Sequence, residues 1–139
     1  MTGPRRLGEQ ELKHLELLQS VISRLGSNSF VVKGWSITLS GVLIAVADRS
    51  PAWKPVTVTV AVAVGFWLLD GYYLRQERLF RTLYEKVVTG DDPPPPALTM
   101  DAERYGGPVP WPDVLLSRPL LFCYGVLVVA DSLLILALD

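Results

Sequence analysis

The hydrophobic positions along this chain form three long runs, and a segment of mixed character precedes the first of them. In that segment, residues 7–25, leucine and isoleucine recur at spacings of three and four, with charged residues mostly between them. This spacing predicts an amphipathic α-helix. Gly26 and the polar stretch 27–29 behind it predict the end of that helix and a hinge.

The apolar runs predict three transmembrane helices, at 30–47, 56–72 and 115–138, because each is near the ~20 residues that cross a hydrocarbon core of ~30 Å. Only a short polar turn, 48–55, separates the first two, which predicts an antiparallel hairpin. We therefore predict an all-α integral membrane protein with three transmembrane helices and an N-terminal amphipathic helix.

The second apolar run keeps its helical periodicity well past the point where the sequence becomes polar. We predict that this helix continues as an extension over 73–88, beyond the hydrocarbon core. The DDPPPP sequence at 91–96 ends it and predicts an irregular loop over 89–113. The predicted organisation is an amphipathic helix at 1–29 followed by a transmembrane domain at 30–139.

Composition agrees with this interpretation, since half of the 139 residues are hydrophobic and only 19% are charged. The net charge of −1 gives no general attraction to nucleic acid, and we predict no nucleic-acid partner. A single Cys123 and a single His14 exclude an intramolecular disulfide and a Cys/His metal centre. We expect His14 to be a solvated surface residue.

The basic residues predict how the helices are oriented. Eleven Lys and Arg residues lie before or at the start of the first helix or between positions 70 and 118, against two in the turn 48–55. Cytoplasmic segments carry the excess of basic residues. The N-terminus and the 73–113 segment should therefore be cytoplasmic and the C-terminus outside.

Asp70 lies near the inner end of the second helix, at a depth comparable with that of Lys33 in the first. A carboxylate so close to hydrocarbon is costly unless it is paired or hydrated. We predict a pair between Asp70 and either Lys33 or Arg118 that docks the helices, with a ligand or proton role as the alternative.

Asp131 lies well inside the third helix, where it must face protein or water. One hypothesis is a neutral Asp131 that bonds to hydroxyl groups within the bundle. The other is a pore or an oligomer interface formed by Asp131 with Ser36, Ser40 and Thr57. The hydroxyl groups available to the first hypothesis are those of Ser36, Thr38, Ser40, Thr57 and Thr59.

Arg75, Arg78 and Arg81 follow one another at intervals of three on the extension of the second helix. Such a row can bind phosphate groups, although arginines that anchor a helix at lipid headgroups show the same pattern. The sequence contains no Walker loop, dinucleotide fingerprint, HExxH motif or Ser/His/Asp set. We predict no enzyme activity, no catalytic residue, no metal site and no cofactor.

The segments LLQSVISRLGSNSFVVKGWSITL, at 17–39, and FWLLDGYYLRQERLFRTLYEKV, at 66–87, resemble a mostly uncharacterised group of small bacterial membrane proteins with three predicted helices. That group is associated with operons that contain TIR-domain or nucleotide-signalling enzymes of antiphage defence, in which small membrane proteins act as effectors. The resemblance is dense over roughly a third of the chain and otherwise concerns its layout.

The resemblance implies a ligand site at the cytoplasmic mouth between the first two helices, in the bacterial inner membrane. The matching positions are Asn28, Ser29, Lys33, Trp35, Asp70, Tyr73, Arg75, Gln76, Glu77, Arg78 and Arg81. All of these except Ser29 and Glu77 are our predicted ligand-binding residues.

Two functions are compatible with these features. The first is a non-enzymatic effector that homo-oligomerises and permeabilises or perturbs the inner membrane on a cytosolic signal, such as a nucleotide, in antiphage defence. The second is a membrane-anchored interaction module that recruits a soluble partner enzyme. The expected partners are thus the lipid bilayer, further copies of the chain, and a cytosolic signalling enzyme or its nucleotide product.

Overall fold

The computed structural model describes residues 6–46 and 53–138, and the regular structure in these two ranges is entirely α-helical. The helices are α1 (Glu9–Val46), α2 (Trp53–Thr89), α3 (Ala102–Tyr105), α4 (Trp111–Leu115) and α5 (Arg118–Leu138). The predicted all-α class is confirmed. The predicted turn at 48–55 lies mostly outside the described residues, and its last part forms the first turn of α2.

Helices α1, α2 and α5 are each long and apolar enough to cross a membrane. By length and composition the chain is therefore a multi-pass membrane protein, as predicted. With 38 and 37 residues, α1 and α2 measure roughly 55 Å at ~1.5 Å per residue, which exceeds a hydrocarbon core of ~30 Å. The long second helix predicted over 56–88 is confirmed.

The bundle consists of two parts that differ in polarity. The apolar half consists of residues 30–46, 53–69 and 118–138. The polar half consists of 9–28 of α1, 73–89 of α2 and the connection 90–117 that leads to α5. Which membrane is crossed, and on which side the polar half lies, stay predictions.

The predicted helix end at Gly26 and the hinge at 26–29 are wrong, because α1 runs through these residues without interruption. A glycine inside a helix costs only about 1 kcal/mol relative to alanine. The packing of α1 along the whole of α2 outweighs that preference, and Ser29 is buried between helices instead of capping one. The sequence signals for a break are thus overridden by tertiary contacts.

In the polar half, α1 and α2 pack antiparallel around a small apolar core. This core consists of Leu15, Leu18, Leu79, Leu83, Val87 and Ala102. The leucine side chains of the segment predicted to be amphipathic differ in their exposure to solvent. Leu18 is fully buried, whereas Leu17 is 41% exposed and Leu12 is 50% exposed.

His14 is buried in this part of the molecule, so its predicted solvation is wrong. Its Nε2 lies 2.7 Å from the carbonyl oxygen of Thr99, which can only accept, so Nε2 carries the proton. The histidine was predicted to be solvated because its neighbours in sequence are charged. The connection 90–117, which covers this face of α1, could not be positioned from local sequence.

The connection 90–117 is less irregular than predicted, since it contains α3 and α4 and folds back onto α2. Gly106 lies directly against α2, where a Cβ atom would overlap the carbonyl oxygens of Leu79 and Ala102. The absence of a side chain at Gly106 therefore permits the close approach of this connection to α2.

The apolar half has large apolar side chains on its outer surface, and its interior contains polar side chains beside buried apolar ones such as Leu120 and Ile135. Phe30, Phe122 and Val46 are among its most exposed residues, at 78%, 75% and 72%. Its buried polar side chains are Ser36, Ser40, Thr59 and Asp131, and the buried Asp70 lies at its border with the polar half. This arrangement suits a bilayer, in which the outer surface meets lipid and polar groups must find partners within the protein.

We expect Leu18→Ala to lower the free energy of unfolding by about 2–5 kcal/mol, because it leaves a cavity in the core of the polar half. Denaturant titration in detergent micelles, followed by circular dichroism, measures this change. Leu17→Ala is the matched control and should cost far less, because Leu17 is 41% exposed. Equal losses in the two variants would contradict the described packing.

Candidate functional site

The carboxylate of Asp70, on α2, is completely buried where the polar half meets the apolar half. Lys33 of α1 places its Nζ 2.5 Å from Asp70 Oδ2, and Ser29 Oγ of the same helix donates a hydrogen bond to Oδ1. Tyr124 of α5 donates its hydroxyl to Oδ2 over 3.3 Å. One carboxylate therefore joins all three membrane-spanning helices.

The helical repeat brings these donors together. Ser29 and Lys33 are four residues apart and therefore lie on one face of α1, where Lys33 Nζ also donates to Ser29 Oγ over 2.8 Å. Beside the carboxylate, Gly71 leaves room for the side chains of Leu115 and Leu120, which a Cβ atom would meet. The start of α5 can therefore approach α2 closely at this level.

The charges at this site compensate each other, because the Asp70 carboxylate and the Lys33 ammonium form a neutral pair. The Lys33 side chain is 27% exposed, whereas that of Asp70 is inaccessible. This is the pair predicted from the sequence. The other predicted partner, Arg118, is exposed at the start of α5. A ligand or proton role for Asp70 stays a prediction.

Arg75, the first arginine of the row, is bound to the connection 90–117. Its Nε donates to the carbonyl oxygen of Val109 over 3.1 Å and its Nη1 contacts Glu103 at 3.0 Å. The guanidinium group also lies 5.1 Å from the centre of the Trp111 ring. Gln76 makes a longer contact, 3.4 Å, with the same carboxylate of Glu103. These contacts fasten the connection to α2.

Arg78 and Arg81 lie elsewhere on the helix, along a surface groove of about 360 Å³. The opposite wall of this groove is formed by 108–110 and by Asp113. Arg81 also pairs with Glu77 at 2.7 Å, one turn earlier on α2. The arginine row thus divides into one residue that holds the fold and two that face a groove.

The other predicted ligand residues do not form a single pocket with the ion pair of Lys33 and Asp70. Trp35 is 64% exposed on the outer surface of the bundle, Asn28 is half-buried, and Tyr73 packs its ring edge-on against that of Tyr72 at 5.8 Å. The structure therefore brings together Lys33 and Asp70, and separately Arg75 and Gln76. Joint ligand binding by the whole set stays a prediction.

The residues predicted for an oligomer interface or pore also lie in different environments, some buried and one exposed. Ser36, Ser40 and Asp131 are buried within the single chain, at 0%, 2% and 5% exposure. Thr57 is exposed, and its hydroxyl donates to the carbonyl oxygen of Trp53 on its own helix. To line a pore, the three buried residues would require the bundle to open, and that role stays a prediction.

Sequence reasoning missed Tyr124 and Glu103, and it named Ser29 only through the resemblance. Tyr124 could have been found, because it lies seven residues before Asp131 and therefore on the same face of α5. Glu103 could not, since it contacts Arg75 only because the connection folds back onto α2.

Comparison with known proteins gives no further guide to this site: no family model, curated protein or solved structure matches the chain.

We expect Lys33→Met to lower the free energy of unfolding by about 3–5 kcal/mol, because it leaves the buried Asp70 carboxylate without its counter-charge. The double variant Lys33→Met/Asp70→Leu should recover most of that loss, since no uncompensated charge remains. Denaturant titration of the purified variants measures both values.

The control for this series is Lys54→Met, because Lys54 is exposed and lies over the ring of Trp53, without a carboxylate partner among the described residues. Its effect should stay within about 0.5 kcal/mol. If the single and double variants were equally unstable, charge compensation would not be the reason for the effect of Lys33.

Proposed function

We propose that this protein is a non-enzymatic membrane effector that acts as a homo-oligomer and permeabilises or perturbs the membrane when its polar half receives a signal. The observation that carries this proposal is the Asp70 contact set, in which one buried carboxylate joins α1, α2 and α5 at the border between the two halves.

The continuity of α1 and α2 supports the transmission step. Each helix extends from the polar half into the apolar half without a break. A rigid helix transfers a tilt or rotation at one end to its other end, and packed interfaces change between discrete arrangements. A shift of α1 against α2 in the polar half would therefore displace Ser29 and Lys33 relative to Asp70.

The groove beside Arg78 and Arg81 is the proposed place for the signal to bind. Two guanidinium groups favour an anionic ligand such as a phosphate group, which they can bind through paired hydrogen bonds. Asp113 on the opposite wall and Glu85 of α2 would oppose a highly charged anion but could accept hydrogen bonds from a sugar or base. A nucleotide from a cytosolic signalling enzyme has both the phosphate group for the arginines and hydrogen-bond donors on its sugar and base.

Permeabilisation requires several copies, because three helices enclose no channel of their own. A shallow apolar groove of about 360 Å³ between α2 and α5 offers a helix-packing surface. Ala63 and Gly125 are small residues in this groove, and small residues allow helices to approach closely in membranes. We propose this surface as the contact between copies.

The biological setting follows from the resemblance described above. The bacterial inner membrane, a cytoplasmic position of the polar half and a role in antiphage defence all belong to this proposal.

We expect the purified protein in nanodiscs to give a multiple of the chain mass by native mass spectrometry, and its expression to increase dye uptake by bacterial cells. Gly125→Leu should shift the mass towards one chain and reduce the uptake, because it fills the groove between α2 and α5. Gly41→Leu is the matched control, since Gly41 is likewise exposed in a membrane-spanning helix, with no atom within 4 Å of a Cβ.

A single-chain mass for the unaltered protein, together with undisturbed cells, would refute the oligomeric effector. Equal effects of the two glycine variants would instead show that added bulk anywhere on the apolar half disturbs assembly.

The second candidate function is a membrane-anchored interaction module, and it is favoured by the open groove at Arg78 and Arg81 on the polar half. For this function the protein should be isolated from membranes as one chain bound to a soluble enzyme. Arg78→Glu should release that enzyme, whereas Arg24→Glu, at an exposed arginine of α1, should not. Retention of the enzyme by Arg78→Glu would exclude this groove as the contact.

A further inference from the structure

Three polar atoms within the apolar half are buried without a hydrogen-bond partner among the described residues. They are Ser40 Oγ of α1, Thr59 Oγ1 of α2 and Asp131 Oδ2 of α5. The exposed fractions of these side chains are 2%, 2% and 5%. Unsatisfied polar groups are costly in a membrane, and here each of the three membrane-spanning helices contributes one.

The register of the helices places these atoms at similar depth. Asp70 contacts both Lys33 and Tyr124, so the three helices share one level there. Ser40 lies seven residues beyond Lys33, and Asp131 seven residues beyond Tyr124, which is about two helical turns in each case. Thr59 lies eleven residues from Asp70 in the same direction, or about three turns. All three therefore occupy the bundle interior within about one turn of each other.

Ser40 and Thr59 also depart from the behaviour of other hydroxyl groups on the same helices. Thr38 donates to the carbonyl oxygen of Gly34, and Thr57 donates to that of Trp53. This local bond is the usual way for a helical hydroxyl group to be satisfied in a membrane. The side chains of Ser40 and Thr59 forgo it and keep their oxygens available in the interior.

No basic side chain of the described residues compensates Asp131. Lys33 is held by Asp70, and Lys54 lies over the Trp53 ring. A protonated Asp131 would also remove the charge, but Asp131 Oδ2 forms no hydrogen bond with either hydroxyl group, so protonation alone would leave these oxygens without a partner. A hard cation binds oxygen atoms, and a single positive charge beside one carboxylate leaves the interior neutral.

From these observations we infer that Asp131, Ser40 and Thr59 form an intramembrane binding site for a small monovalent cation of the sodium type. Asp131 supplies the charge, and the two hydroxyl groups supply neutral oxygen ligands. The site is formed within one chain, so it does not depend on the proposed oligomer or on membrane leakage.

The test uses the full chain in nanodiscs and measures binding of radioactive Na⁺ at neutral pH, together with the thermal unfolding midpoint in sodium chloride and in choline chloride of equal ionic strength. The unaltered protein should bind Na⁺ saturably, with one ion per chain, and unfold at higher temperature in sodium chloride. Asp131→Asn should abolish both effects, because the amide is nearly isosteric but carries no charge.

The hydroxyl ligands are tested by Ser40→Ala and Thr59→Val, which should weaken Na⁺ binding. Thr38→Val and Thr57→Val are their matched controls, since each removes an exposed hydroxyl group from the same helix. These controls should bind Na⁺ as the unaltered protein does. If Asp131→Asn failed to fold, the four hydroxyl variants and the comparison of sodium with choline chloride on the unaltered protein would still show whether Na⁺ binds at this site.

Two results would overturn the proposal. Saturable binding that persists in Asp131→Asn would show that Na⁺ binds elsewhere. Absence of binding to the unaltered protein, with a carboxylic acid band in the infrared spectrum that disappears in Asp131→Asn, would show that a proton neutralises Asp131 instead.

Discussion

The Asp70 carboxylate has no contact with solvent, and a charge in that position must be compensated by the protein itself. Lys33, Ser29 and Tyr124 provide this compensation from two other helices. Because a membrane gives little hydrophobic force between helices, such polar contacts fix which faces meet and at what height. The alignment of α1, α2 and α5 in the apolar half, and with it the depth of Ser40, Thr59 and Asp131, depends on this contact set.

The two halves of the bundle are stabilised by different physics. In the polar half, an apolar core between α1 and α2 excludes water, as in a soluble helical hairpin. In the apolar half the outer surface exposes large apolar side chains, and the interior contains hydroxyl and carboxyl groups beside apolar ones. The Asp70 contact set lies at the border between the polar half and the apolar half. A movement that crosses this border must therefore alter a charged contact, which is why the proposed effector mechanism places its sensitive point there.

The arginine row illustrates how one sequence pattern can contain residues of different kinds. Arg75 is occupied by Glu103, Val109 and the Trp111 ring and maintains the fold. Arg78 and Arg81 face a groove with an acidic residue on its far wall. Spacing alone cannot separate these roles, because the groups that occupy Arg75 come from a connection about 30 residues further along the chain and are placed by tertiary folding.

The sequence by itself determined the all-α class, the three apolar spans, the length of α2 and the need of Asp70 for a basic partner, Lys33 or Arg118, between which the structure chose Lys33. These follow from hydrophobic periodicity and from the cost of a buried charge, which are properties of single segments. Only the tertiary structure decided that α1 is unbroken at Gly26, that His14 is buried under the connection, and that Tyr124 reaches Asp70 while Ser40, Thr59 and Asp131 face the interior. Those features depend on contacts between residues far apart in sequence, whose energy exceeds the local preference of a glycine or a charged neighbourhood.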